Sequence, residues 1–270
     1  MSAKVHLCYP HGKYKALTMS YDDAVEADKR LVNIFNRHGI KGTFHLNSGL
    51  FGQAGARRRL TEEEAVALYQ GHEVSAHTLT HPSIARCPRE QMVHEVMEDR
   101  KKLERLFGYT VRGMSYPNGS YSEQLKEMLP HLGIEYARVV QTTGSFSLPD
   151  DWLEWKATCH HKQQLMEHAE TFVGIDKPQH LILMYVWGHS YEFDQDNNWE
   201  LIEQFCEFVG GREEIWYATN IEIVDYFKAY RQLRFSAGME FVYNPTAQSV
   251  WIRADEAVIE VKSGQQITLV

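Results

Sequence analysis

The chain has 270 residues, 43% of them hydrophobic and 12% aromatic, which is enough for one large α/β domain, or for such a domain with a small appendage. Its formal net charge of -8 argues against nucleic acid or an anionic membrane surface as a partner. Its four cysteines form no C-x-x-C pair, and it has neither a signal-like N-terminus nor an apolar run of about 18 residues, so we expect a cytoplasmic protein unless a signal peptide has been removed.

Strands and helices are predicted to alternate along residues 1–231. Short apolar runs predict strands, and amphipathic stretches bounded by capping residues and glycines predict helices. The predicted strands cover 16–21, 42–46, 73–76, 111–116, 134–140, 180–186 and 216–219. The predicted helices cover 28–38, 61–69, 89–107, 121–132, 161–173, 199–209 and 221–230. This alternation favours an α/β fold with a parallel sheet and outer helices, and the number of repeats is near that of a (β/α) barrel.

The pattern changes in residues 232–270. Short runs of alternating polarity are separated there by turn signals such as Ala-Gly, Asn-Pro and Ser-Gly. These runs predict a small antiparallel β appendage. Because no low-complexity linker precedes it, we expect the appendage to pack on the barrel of residues 1–231.

Polar residues directly follow several of the predicted strands. In (β/α) barrels the catalytic groups lie on the loops after the strands, so side chains distant in sequence converge at one rim. The residues in these positions are Asp22, Asp23, Asn47, His77, Tyr116 and His189.

The spacing of His77 and His81 suggests a metal site. Two imidazoles four residues apart lie about one helical turn from each other, so both can face one point. One carboxylate from the Asp22–Asp23 pair would complete a three-ligand set that leaves positions open for water and substrate. The other carboxylate would then be a general base beside a metal-bound water, the nucleophile. Non-haem Fe(II) oxygenases use a similar set, but on antiparallel folds, which the alternation argues against.

Four motifs in the chain resemble those of the polysaccharide deacetylases, the NodB-homology domain of carbohydrate esterase family 4. They are Tyr-Asp-Asp-Ala at 21–24, His-Thr-Leu-Thr-His at 77–81, Ser-Tyr-Pro-Asn-Gly at 115–119 and Trp-Gly-His-Ser-Tyr-Glu-Phe-Asp at 187–194. The resemblance covers roughly residues 15–230. It implies a distorted, incomplete (β/α) barrel.

The resemblance also implies a role for each site residue. Asp23, His77 and His81 would hold one divalent metal ion, usually Zn²⁺, with Co²⁺, Ni²⁺ or Fe²⁺ as alternatives. Asp22 would be the general base, and His189 the general acid that protonates the leaving amine.

Further roles concern the oxyanion, the catalytic aspartate and the substrate. The backbone N–H of Tyr116 would donate to the oxyanion. An arginine would pair with the catalytic aspartate, and both Arg112 and Arg138 remain candidates, with Arg138 favoured. One family motif tunes the acid histidine and lines the acetyl pocket, and Trp152, in the Asp-Asp-Trp run at 150–152, is the candidate for it. Trp187 is one of several tryptophans that could stack on a sugar.

Three further features of the sequence are not assigned a role in catalysis. Ala24 stands where the family has glycine, which suggests a different backbone path beside the site. The adjacent His160 and His161 are interpreted as solvent-facing, and the charged run 95–102 as a solvated helix face.

We therefore expect a metal-dependent hydrolase that removes acetyl groups from an N-acetylated sugar or oligosaccharide. The alternatives are an amidase or O-acetyl esterase acting on a small acylated substrate with the same scaffold, and a non-catalytic sugar-binding module. Asp22 and His189 together argue against the module, since a binder needs neither an acid nor a base. The sequence leaves the oligomeric state open.

Overall fold

The computed structural model of the chain describes residues 4–269. Its strands, in chain order, are β1 (Val5–Cys8), β2 (Lys15–Asp22), β3 (Gly42–Leu46), β4 (Glu73–Ala76), β5 (Gly113–Ser115), β6 (Tyr136–Thr142), β7 (Trp155–Ala157), β8 (Cys159–His160), β9 (Ile182–Gly188), β10 (Ile215–Tyr217), β11 (Arg234–Phe235), β12 (Phe241–Tyr243), β13 (Val250–Ala254), β14 (Ala257–Val261) and β15 (Gln266–Thr268). Its helices are α1 (Asp28–Arg37), α2 (Glu62–Leu68), α3 (Arg89–Phe107), α4 (Glu123–Met128), α5 (Leu165–Gly174), α6 (Tyr191–Asp196), α7 (Trp199–Val209) and α8 (Asn220–Arg231).

The strands of the first part of the chain form one parallel sheet in the order β7-β6-β5-β4-β3-β2-β9-β8, with β10 paired to β2. Within the described residues no backbone pairing joins β7 to β8, so the barrel is not closed. Every residue of the central β2 is buried, as expected for a strand covered on both faces. The prediction of a distorted, incomplete (β/α) barrel is confirmed.

Four elements were not predicted from the sequence: β1, β7, β8 and α6. Strands β7 and β8 lie between the predicted strand 134–140 and the predicted helix 161–173, and α6 begins shortly after β9. With three and two residues, β7 and β8 are too short for the alternation of polar and apolar residues to reveal them.

The C-terminal strands form two antiparallel sheets, with the orders β1-β13-β14 and β11-β12-β15. The first of these sheets includes β1 from the start of the chain. The predicted antiparallel character of this segment is confirmed, whereas the division into units 1–231 and 232–270 stays a prediction.

Among residues 4–269, no helix combines the length and the apolar character that crossing a membrane requires. The four cysteines are unpaired.

Candidate active site at the carboxyl ends of the strands

Asp22, the last residue of β2, lies buried at the centre of the site. Its Oδ2 accepts a hydrogen bond from Arg138 Nη2 and lies 3.7 Å from His77 Nε2, while Oδ1 accepts from Ser115 Oγ at 3.2 Å. Burial acts to raise the pKa of Asp22, but the charges of Arg138 and His77 outweigh it and hold the pKa well below its usual range. The carboxylate is therefore ionised at neutral pH.

Arg138 comes from β6 and is fully buried. Its guanidinium also lies over the ring of Trp187, 4.3 Å from the ring centroid. The other arginine left open by the sequence, Arg112, instead makes a two-pronged contact with Asp225 at 2.7 and 2.6 Å. The structure thus pairs Arg138, and not Arg112, with Asp22.

Asp23, His77 and His81 bring one potential ligand atom each to within 4.8 Å of one another. Asp23 Oδ1 is buried and accepts no hydrogen bond, although Arg59 Nη1 lies 3.2 Å from it. A buried carboxylate oxygen without a hydrogen-bond partner beside two imidazole nitrogens is what a divalent ion would satisfy. These residues fit the predicted metal.

The hydrogen bonds of His77 determine which of its nitrogens faces the site. Nδ1 lies 2.9 Å from the carbonyl oxygen of Ser115 and 2.7 Å from Ser115 Oγ. A carbonyl can only accept, so Nδ1 carries the proton and Nε2 presents its lone pair to the site. Burial lowers the pKa of His77 to about 4, which keeps the ring in the neutral form that binds metals.

The two metal-ligand loops have strained backbones. Four residues other than glycine adopt left-handed conformations: Asp23 (φ 93°), Ala24 (φ 52°), Thr78 (φ 63°) and His81 (φ 60°). Each costs roughly 1–2 kcal/mol, and such strain typically occurs where function requires the geometry. Ala24 thus takes a conformation that glycine favours, and the expectation of a different backbone path stays a prediction. His77 and His81 converge, with ring centroids 4.8 Å apart, through a loop and not through a helical turn.

His189 follows β9 and faces Asp22 across the site, with Nε2 3.9 Å from Asp22 Oδ2. Glu192 Oε2 lies 3.2 Å from His189 Nδ1 and accepts from the His189 backbone N–H at 3.0 Å. Burial alone would lower the pKa of His189, but the hydrogen bond to Glu192 and the charge of Asp22 outweigh it and raise the pKa. The sequence reasoning missed Glu192, although it lies inside the motif at 187–194.

Tyr116 does not offer a free N–H to the site. Its backbone N–H donates to the carbonyl of Arg138 at 3.1 Å, as part of the sheet, and its hydroxyl donates to the carbonyl of Leu153 at 2.8 Å. The expected role of Tyr116 as oxyanion donor therefore finds no support in this geometry.

Trp152 is partly buried and packs against aromatic side chains of the core. Its ring packs edge-on against Trp155 at 4.8 Å and tilted against Phe227 at 5.8 Å. The neighbouring Asp151 caps a short turn and pairs with Lys126 at 2.8 Å, so this run is not the partner of His189.

Trp187 does border the site, at the end of β9. Besides Arg138, its ring contacts His160 edge-on at 4.6 Å, and it is only 8% exposed. That leaves little surface for stacking on a sugar.

Two further expectations are wrong. His161 is buried, 1% exposed, rather than solvent-facing. In the charged run 95–102, Glu95 and Asp99 are buried and hydrogen-bonded to the loop that carries His77.

A surface cleft of about 360 Å³ lies beside the aspartate turn. Its lining includes Val25, Arg57 and Tyr191. The Arg57 guanidinium stacks on the Tyr191 ring at 3.4 Å from the centroid. None of Asp22, His77 and His189 lines this cleft.

Comparison with known proteins shows which family the chain resembles. The model of the polysaccharide deacetylase family matches residues 6–137. The peptidoglycan-N-acetylglucosamine deacetylase PgdA of Listeria monocytogenes is 24% identical over 116 residues, which cover 42% of this chain. The matched part is only 23% of the length of PgdA.

Solved structures show the same fold at low sequence identity. A protein from Mycobacterium smegmatis described as a polysaccharide deacetylase superposes with a TM-score of 0.62 and 13% identity, covering 86% of this chain and 96% of its own. Puue allantoinase superposes with a TM-score of 0.63 and 11% identity, covering 83% and 93%. The matching family model and the four motifs support a resemblance to the polysaccharide deacetylases, the NodB-homology domain of carbohydrate esterase family 4, and the solved structures show the same fold.

Proposed function

We propose that the chain is a metal-dependent hydrolase that removes acetyl groups from an N-acetylated sugar or oligosaccharide. The observation that carries the proposal is the convergence of a base, an acid and a metal-ligand set at one end of the sheet. Asp22 Oδ2 lies 3.7 Å from His77 Nε2 and 3.9 Å from His189 Nε2. The base, the acid and the metal ligands are therefore close enough to act on one acetamide group and its attacking water.

The metal would be held by Asp23, His77 and His81, with Zn²⁺ favoured by two nitrogen ligands and one oxygen ligand. When bound, such an ion polarises the acetyl carbonyl and lowers the pKa of water from ~15.7 toward ~7. An unactivated amide is a poor electrophile, which is why the reaction needs this help.

Asp22 is placed to take the proton of the attacking water. Its low pKa keeps it in the accepting form, and Arg138 and Ser115 fix its orientation through both carboxylate oxygens. With the position of the base fixed in advance, no reorganisation is needed when the water attacks.

His189 is placed to protonate the leaving nitrogen. Glu192 accepts from Nδ1, so Nε2 is the nitrogen that faces the substrate. The raised pKa keeps a larger share of the ring protonated near neutral pH. An amine leaves only when protonated, whereas an alkoxide leaves more readily, so this arrangement favours an amide over an ester substrate.

Two alternatives, the non-haem oxygenase and the sugar-binding module, are disfavoured. The fold is a parallel barrel, whereas the oxygenase reading required an antiparallel one. A sugar-binding module would have no use for the Glu192–His189 hydrogen bond or for a buried Asp22–Arg138 pair, whose formation requires burying two charges.

The test combines zinc content with acetate release from an N-acetylated chito-oligosaccharide. We expect about one zinc per chain when one equivalent is supplied, acetate release that a chelator abolishes, and recovery when zinc is returned. Asp22→Asn should keep the zinc and lose about 10²–10⁴-fold in rate. His77→Ala should lose activity together with the zinc of the catalytic centre.

His94→Ala is the matched control, since His94 is exposed on α3, and it should keep both zinc and activity. A His77→Ala protein that stays fully active without zinc at the catalytic centre would contradict the proposal. Zinc binding without acetate release would move the assignment to the amidase or esterase on a small acylated substrate.

A further inference from the structure

A second group of potential metal ligands lies behind the acid histidine. His160, His161 and Glu192 each offer one ligand atom, and these atoms lie within 4.8 Å of one another. Glu192 Oε2 is 3.1 Å from His160 Nε2 and 3.4 Å from His161 Nε2. Two imidazole nitrogens and one carboxylate oxygen form the same type of ligand set as in the proposed catalytic centre.

The polar atoms of His161 are not satisfied by the protein. The side chain is buried, and neither Nδ1 nor Nε2 has a hydrogen-bond partner. Buried polar groups nearly always have a partner, so an imidazole with two free nitrogens points to a missing one. Burial also lowers the pKa of His161 to about 3, which leaves the ring neutral and able to bind a metal.

The ring of His161 is held rigidly in its orientation. It packs against Tyr21, with centroids 5.8 Å apart, and against Phe193, with centroids 4.2 Å apart, and these two rings also contact each other, with centroids 6.4 Å apart. Its Nδ1 edge lies against the backbone of Gly188, where a Cβ atom would come within 2.1 Å. Nε2 is thereby directed toward Glu192, and a ligand that is already ordered loses little entropy on binding.

The second carboxylate oxygen of Glu192 is occupied by another group. Lys162 Nζ lies 3.3 Å from Oε1 and 2.7 Å from Asp196 Oδ2. Oε2 is thus the oxygen that faces the imidazoles.

We propose that His160, His161 and Glu192 form a second divalent-metal site, selective for ions such as Zn²⁺ that prefer nitrogen ligands, and that filling it inhibits the enzyme. Inhibition follows because Glu192 Oε2 also accepts from the backbone N–H and Nδ1 of His189. An oxygen that binds a cation is a weaker acceptor, so His189 would lose the partner that fixes its tautomer. Binding at this site is independent of the proposed function, whereas inhibition rests on it.

Equilibrium dialysis of the metal-free, tag-free protein against Zn²⁺ tests the binding. We expect two equivalents per chain in the wild type and one in His160→Ala. His161→Phe, which keeps an aromatic ring against Tyr21 and Phe193, should also bind one equivalent. The exposed-histidine variant His94→Ala should keep two. One equivalent in the wild type, or two in both His160→Ala and His161→Phe, would overturn the second site.

His77→Ala separates this inference from the proposed function. It should bind one equivalent, at the second site, and a variant that still binds two would place the failure in the proposed catalytic centre. Acetate release then tests inhibition: the wild-type rate should fall about tenfold or more when the second equivalent binds, and the His160→Ala rate should not. Two equivalents without any fall in the wild-type rate would overturn the inhibitory role.

Discussion

Among individual residues, His189 shows most clearly how the local environment prepares a group for catalysis. A buried imidazole tends to lose its proton, but two carboxylates, Glu192 and Asp22, flank this ring and reverse the effect. A general acid works only in its protonated form. Activity should therefore fall as the pH rises through the pKa of His189, and a raised pKa extends the active range upward.

Replacing Glu192 by glutamine should narrow that range. The amide preserves the shape of the side chain and can still accept from the His189 N–H, but it removes the negative charge beside the imidazole. The pKa of His189 should drop, so the alkaline limb of the pH profile of kcat/KM should move to lower pH. Glu200→Gln, which removes an exposed charge from α7, should leave the limb in place. Equal profiles for the wild type and Glu192→Gln would exclude Glu192 as the partner of the acid.

Among the elements, helix α3 positions the metal-ligand loop. Asp99 accepts from the backbone N–H of His77 at 3.0 Å and from that of Ser48 at 2.8 Å. One turn earlier, Glu95 accepts from the N–H and the hydroxyl of Thr80 at 2.8 and 2.6 Å. These carboxylates replace the hydrogen bonds that a loop lacks, and so they stabilise the strained backbone between the two histidines.

Asp99→Asn should therefore weaken metal binding. An amide cannot accept from both N–H groups with equal geometry, so the loop would loosen, and outer-shell changes of this kind typically cost 10–100-fold in affinity. Competition with a chromogenic chelator would measure the loss at the catalytic centre. Glu98→Gln, on the half-exposed face of the same helix, is the control and should stay within about twofold of the wild type. An unchanged affinity in Asp99→Asn would mean that the loop holds its shape without α3.

The contrast between α3 and the strands shows what sequence patterns can predict. The ends of the strands were predictable because an apolar run is a local feature of the sequence. These predicted ends placed Asp22, His77 and His189 at one rim of the barrel. The pairing of Asp22 with Arg138 joins residues 116 positions apart, so the position of Arg138 near the end of a predicted strand favoured it over Arg112 without excluding Arg112. The prediction that the charged run on α3 is a solvated helix face was wrong for a related reason. Its carboxylates are buried because a loop distant in sequence supplies their hydrogen-bond donors.

At the scale of the whole molecule, the two ends of the chain meet. β1 pairs with β13, and the hydroxyl of Tyr226, on α8, donates to the carbonyl of Cys8 at 2.6 Å and accepts from the N–H of Trp251 at 2.9 Å. Strand β13 is therefore hydrogen-bonded to β1 and to α8, whereas the division of the chain into a barrel and an appendage stays a prediction.

The end of the barrel opposite the site is held together by a buried carboxyl group. Glu73, at the start of β4, accepts from the hydroxyl of Tyr136 at 2.7 Å, from the hydroxyl of Thr43 at 2.9 Å and from the N–H of Ile221 at 2.9 Å. It thus links β3, β4, β6 and α8. Burial outweighs these hydrogen bonds and raises its pKa from 4.5 to about 7.

This shift makes the stability of the fold depend on pH. Because the native state holds the Glu73 proton more tightly than the unfolded chain, the stabilisation is complete below about pH 4.5 and is lost as the pH rises through about 7. Glu73→Gln stays neutral and keeps the side-chain shape. Between pH 5 and pH 8 the wild type should therefore lose about 2 kcal/mol more free energy of unfolding than the variant, measured by urea denaturation. Glu90→Gln, exposed on α3, should follow the wild type. Parallel pH dependences for the wild type and Glu73→Gln would mean that Glu73 is already ionised in the folded barrel, with its charge stabilised by the three donors.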